Sequence, residues 1–276
     1  GSDLMLGYSV FLPSYSVGEN CYKEIPYVTR KFGTRAVVIG GKTAMSKAKP
    51  ELEAAIKDSD VEILDYIWYG GDSSYENVEM LKNNPLVTGA DMLFGVGGGR
   101  ACDTVKTLAD MLDKPFFTFP TLASNCAACT AITVMYNPDG SFKEYYYMHG
   151  PSYHTFINTK IIADSPEKLL WAGIGDALSK ECEVLYAGRD KFMYHTPLMG
   201  QCIAKICTTP LIEYGAKALE ACRSNKPDFS LEQVALDIII STGIVSNFAT
   251  HENQPDPADN YYYNSSLAHC VYYGAS

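Results

Sequence analysis

A chain of 276 residues with 47% hydrophobic side chains carries enough apolar surface for a large core, and its length predicts two domains. The formal net charge of −10 excludes broad electrostatic binding to nucleic acid and adhesion to anionic membranes, since both need basic surface. Nine cysteines without regular spacing, no apolar run near about 18 residues and no N-terminal signal segment predict a cytoplasmic protein with reduced thiols.

The first strand-like run is Ala36 to Gly41 (AVVIGG), followed by Val61 to Trp68, Met92 to Val96 and Pro115 to Pro120. Helical patterns lie between them. ELEAAIKDSD follows Pro50, which is expected in a first helical turn, and SSYENVEMLK opens on capping serines. RACDTVKTLADML places Ala101, Val105, Leu108 and Leu112 on one face. This alternation predicts a parallel sheet covered by helices on both faces, with ligands at the carboxyl ends of its strands. At one such end, MLFGVGGGRACDTVK runs a strand into Gly97, Gly98 and Gly99 and then into a helix. Backbone without Cβ atoms next to the positive end of a helix suits an anion such as phosphate, although small residues also permit close packing. The spacing matches neither G-x-G-x-x-G nor the Walker loop.

Beyond Thr121, Ala131 to Tyr136 and Lys143 to Met148 flank Asn-Pro-Asp-Gly, a hairpin signal. From Ser165-Pro-Glu onward the chain reads almost wholly helical, so the domains are placed at residues 1–160 (dinucleotide-binding α/β, with the hairpin) and 161–276 (all-α). Cys126-Ala-Ala-Cys129, with no second pair, carries little for zinc or redox chemistry and reads as close packing. His149, His154, His195 and His251 are read as solvated surface.

GVGGGRACDTVK, FPTLASNCAACTAITVMYNPDGSF and WAGIGDALSKECE, in this order, resemble the glycerol dehydrogenase-like branch of the iron-containing alcohol dehydrogenase superfamily. The resemblance implies a cleft where NAD or NADP meets a small substrate held on a divalent metal, zinc or iron. It implies cofactor contacts at Gly97, Gly98, Gly99, Asp103, Thr121 and Ser124, with Thr130, Ile132 and Tyr136 on the nicotinamide side. For Asp103 and its neighbour Lys106, an ion pair within the helix is the plainer alternative. Asp176 and His269 correspond to metal ligands of the family.

Three departures follow. The family's glycerol-type members have an aspartate where this chain has Cys126, a substrate-pocket candidate; loss of that charge favours an anionic substrate and is similar to the hydroxycarboxylate dehydrogenase sub-branch. Tyr272 stands at the second histidine of the family's A-H-x-x-H-x-G pattern. The family also continues beyond Ser276 and supplies its last metal histidine there, so the resemblance implies an incomplete helical domain. The expected function is an NAD(P)-dependent dehydrogenase or reductase of a 2-hydroxy acid or polyol, in a homo-oligomer. The rivals are an inactive nucleotide-binding relative and a dehydroquinate synthase-like lyase.

Overall fold

The structure is a computed structural model, and it describes residues 8–188 and 195–249. In chain order the elements are β1 (Tyr15–Val17), α1 (Ile25–Thr29), β2 (Arg35–Gly40), α2 (Lys42–Ile56), β3 (Glu62–Trp68), α3 (Tyr75–Lys82), α4 (Pro85–Gly89), β4 (Met92–Gly97), α5 (Gly99–Leu112) and β5 (Phe116–Pro120). They continue as β6 (Ile132–Tyr136), β7 (Phe142–Tyr147), β8 (Thr155–Ile157), α6 (Thr159–Ala163), α7 (Glu167–Gly188), α8 (His195–Ile206), α9 (Thr208–Ser224), α10 (Phe229–Leu236) and α11 (Thr242–Ala249).

Six parallel strands form one sheet in the order β1-β8-β5-β4-β2-β3, and β6 and β7 form a separate antiparallel hairpin. Val38 of β2 faces a core layer built with α2, while Val37 and Ile39 face the opposite layer built with α5. Every residue of β4 is buried, as expected of a parallel strand covered on both sides. The expected strands and hairpin are present. The short edge strand β1 and its neighbour β8 were not anticipated, because three residues carry no readable alternation.

Two expectations need correction. Helix α2 begins at Lys42, so Pro50 lies inside it rather than in its first turn. The carbonyl it leaves without a partner belongs to exposed Ser46, where water can serve it. The span Phe229–Phe248 does have the length and hydropathy of a membrane span, where none is expected from the sequence, but 67% of that window is buried and it packs as a core helix.

The helical part shares its core with the sheet part. Cys102, Ala123, Cys129 and Ile157 belong to one apolar cluster with Leu170, Ala218, Val234 and Ile238.

Candidate functional site

The strand order sets the place. Strand β2 pairs with β3 on one side and β4 on the other, so the chain reverses direction across the sheet between β2 and β4. In open α/β sheets the crevice outside such a reversal takes ligands. The carboxyl ends here are Gly40 and Gly97, and the helices that follow them, α2 and α5, both start at this edge.

Gly97 holds φ +147°, a conformation that L side chains rarely adopt. Gly98 caps α5 in an extended conformation, and its carbonyl accepts the Cys102 amide at 3.0 Å. An added Cβ at Gly98 would come within 2.9 Å of Leu122 Cδ1, and one at Gly99 within 2.9 Å of Asn125 Nδ2. The glycine run therefore serves two ends: it frees amides at a helix start, and it lets the loop after β5 close over them. A small cleft results, lined by Gly97, Gly98 and Gly99 together with Leu122, Ser124 and Asn125. Thr121 is buried beside the glycine run, with its amide on the Gly97 carbonyl at 3.3 Å.

The next segment is held from beneath. Lys106, fully buried in α5, donates to the carbonyls of Ala127 (2.7 Å) and Ile132 (2.8 Å), to Thr130 Oγ1 (2.9 Å) and to Asp103 Oδ1 (3.1 Å). The other oxygen of Asp103 accepts the Val134 amide at 3.1 Å. Burial pushes the Asp103 carboxyl above its ordinary pKa, while Lys106 and the Val134 amide act the other way. Asp103 was expected among the cofactor contacts; here it is 6% exposed and both its oxygens have partners inside the fold.

The helical part closes the other wall. A Cβ at Gly173 would lie 2.1 Å from the Ala123 carbonyl oxygen, so α7 touches loop backbone directly. A Cβ at Gly243 would lie 2.8 Å from Cys129 Cβ and 3.7 Å from Cys126 Cβ, so α11 packs against the side chains of the same loop. Asn247, buried on α11, accepts the Ala131 amide (2.9 Å) and donates to the Cys129 carbonyl (2.8 Å). Cys126 is half-buried, and its thiol engages the Thr242 hydroxyl. Burial raises that thiol's pKa, Lys180 pulls it down and Asp176 pushes it up, so it stays neutral near pH 7. Lys180 is itself buried one turn beyond Asp176 on α7. Burial acts to lower its pKa, but the surrounding Cys126, Asp176, Glu183 and Cys207 outweigh that and raise it.

The structure thus brings Gly97, Gly98, Gly99 and Ser124 to one cleft, ties Thr121 to Gly97 through its backbone amide and fixes Thr130 and Ile132 through Lys106. Tyr136 ends β6 with the Arg100 guanidinium 4.8 Å from its ring centre. Asp176 is half-buried on α7, whereas His269, Tyr272 and His251 lie outside the described residues. His154 is not surface: it is 9% exposed, with Nδ1 and Nε2 each 2.7 Å from the hydroxyls of Ser14 and Ser16. Asn247, Lys180 and Gly243 were missed from sequence, and nothing local marks them. Gly173 had a signal, since two glycines within a helical turn are costly unless another backbone comes close.

Sheet order, glycine cradle and helical wall together define an α/β nucleotide-binding fold with an appended helical domain. Residues 13–154 match the family described as iron-containing alcohol dehydrogenase, and the chain belongs to that family. It is 29% identical to a glycerol dehydrogenase of Escherichia coli O6:H1 over 80% of this chain and 61% of the relative. It is 32% identical to hydroxycarboxylate dehydrogenase A of Escherichia coli over 77% of this chain and 58% of the relative. Among solved structures, the fold resembles glycerol dehydrogenase from Schizosaccharomyces pombe, with TM-score 0.76 and 22% identity over 94% of this chain and 70% of that one. The chain spans about 60% of the length of the two curated relatives named here.

Proposed function

We propose that the protein is a nicotinamide-dependent dehydrogenase of a small hydroxy compound, a 2-hydroxy acid in preference to a polyol. The observation that carries the reading is the glycine cradle at the sheet's reversal point, roofed by the loop of Leu122, Ser124 and Asn125. Amides at the start of α5 and the helix dipole suit the cofactor's phosphates. The bound cofactor, NAD or NADP, supplies the hydride chemistry; the chain's task is to bind, orient and exclude water. At the neighbouring helix start, Lys42 sits with its ammonium 4.4 Å from the Trp68 ring centre, and the absence of an acid there supports acceptance of NADP.

The family's divalent metal requires several ligands, and among the described residues no three His, Cys, Asp or Glu side chains form a group that could hold one. Asp176 is the one ligand position of the resemblance that falls within them. The described residues do not fit a complete metal centre, and no step is routed through one.

The neutral Cys126 thiol supports the choice of acid over polyol, since a carboxylate at that position would repel an anionic substrate. Titration of NADH and NADPH followed by turnover of a 2-oxo acid and polyol panel tests the function. Binding of neither dinucleotide would sink it. Cys126→Asp is expected to move the kcat/KM preference toward polyols by about tenfold; an unchanged ratio removes the thiol from substrate selection. A homo-oligomer belongs to the same proposal and is read directly from the mass in solution by light scattering.

A further inference from the structure

The buried pair inside α5 is more elaborate than a helix ion pair needs to be. An ammonium has three N–H donors, and those of Lys106 are shared among four acceptors: Asp103, Thr130 and the carbonyls of Ala127 and Ile132. With no exposed surface, Lys106 has no donor left to reach a ligand. Apart from Asp103, the groups it holds belong to the segment 127–132, and Asp103 extends the hold to Val134. Asn247 pins the same segment from the opposite side through Ala131 and Cys129.

Helix α5 therefore has two functions along one rigid rod. Its first residue is Gly99 of the cradle, and seven residues on, about 10 Å along the axis, Lys106 fixes the segment that carries Thr130 and Ile132. We propose that Asp103 and Lys106 are positioning residues that set where the nicotinamide half of the cofactor lies relative to its phosphate half, without touching the cofactor. The inference rests on the dehydrogenase reading above, together with the family resemblance that puts Thr130 and Ile132 on the nicotinamide side.

Lys106→Met keeps the length of the side chain but removes the ammonium from the segment's acceptors, leaving only the Thr130 hydroxyl on the Ile132 carbonyl. Asp103→Asn keeps an acceptor for the Val134 amide and removes the charge. In the full chain, each variant is titrated with ADP, which carries the phosphate half alone, and with NADH, following nicotinamide fluorescence. If the wild-type chain takes only the phosphorylated cofactor, 2′-phospho-ADP and NADPH replace them. The expected result is an ADP dissociation constant within about twofold of wild type, with NADH weakened at least about tenfold and its emission shift on binding reduced. A purely structural pair would weaken both ligands in the same proportion, and that outcome overturns the inference. So does the absence of any selective loss of NADH in whichever variants fold. Failure of the wild-type chain to bind either ligand is a different result, and it falls on the dehydrogenase reading itself.

Discussion

At Gly173 an ordinary helical position meets loop backbone: a methyl group would stand 2.1 Å from the Ala123 carbonyl oxygen and 3.0 Å from Ser124 Cα. Backbone atoms cannot rotate aside as a side chain can. Gly173→Ala is therefore expected to push α7 away from the cleft, costing about 1–3 kcal/mol in urea unfolding and weakening dinucleotide binding. Full stability together with unchanged affinity would show that the contact gives way without consequence. Gly98 and Gly99 are different, because a Cβ there meets the ends of the Leu122 and Asn125 side chains. A substitution at those positions can be accommodated by rotating the roof, so its effect belongs to ligand binding more than to folding. The physical distinction is between crowding backbone and crowding a rotamer.

Among the elements, edge strand β1 is held by His154 through a directional relay. Ser14 Oγ donates its one proton to the Tyr153 carbonyl at 2.7 Å, so His154 Nδ1 carries hydrogen toward Ser14 and Nε2 accepts from Ser16. Burial lowers the His154 pKa from 6.5 to about 4. Between those values the unfolded chain takes up a proton that the folded chain refuses, so this residue's contribution to stability falls as pH drops from about 6.5 to about 4. His154→Gln should flatten that part of the stability curve, measured by urea unfolding at a series of pH values; an unaltered slope would remove His154 as its source.

The turn between α10 and α11 behaves oppositely. Residues Asp237–Ser241 form a π-helical turn, and the wider turn sets the helical phase at which Gly243 and Asn247 meet the loop around Cys129. Asp237 is 3% exposed, one of its oxygens has no partner, and burial raises its pKa from 3.8 to about 7. Here the unfolded chain releases a proton that the folded chain keeps, so stability declines as pH rises from about 4 to about 7 and is level above that. Asp237→Asn should gain about 1–3 kcal/mol near pH 7 relative to wild type, with little difference at pH 4. Equal stability at both pH values would refute the assignment.

For the whole molecule, the shared core is the governing fact. Cys102, Ala123, Ala128, Cys129 and Ile157 from the sheet part are buried against Leu170, Leu211, Val234 and Ile238 from the helices. A fragment ending at Asp164 would leave that face open to water, and exposed apolar patches drive association. Residues 1–164 expressed alone are expected to aggregate or to bind a hydrophobic dye, with a broad thermal transition. A monomeric fragment with a sharp transition would show that the two parts fold independently.

Much of this organisation could be read along the chain, for identifiable reasons. Strands such as Val37–Ile39 and Leu93–Phe94 are continuous apolar runs because both faces of a parallel strand are covered. The three glycines pointed to a candidate site because the strand end, the turn and the helix start are consecutive residues. What could not be read depends on residues far apart. Asp103 is expected at the cofactor from the motif, with pairing inside the helix as the alternative for it and Lys106, and only the fold shows partners of the two residues 21 to 31 positions away. Asn247 bonds a loop 116 to 118 positions earlier, and no composition signals that meeting. By itself the sequence determined the alternating α/β order, the cradle and the family, since local periodicity and contiguous motifs carry these. Only the tertiary structure decided which wall the loop leans on, that His154 is buried and that the two parts share one core, because burial and pairing are properties of neighbours in space.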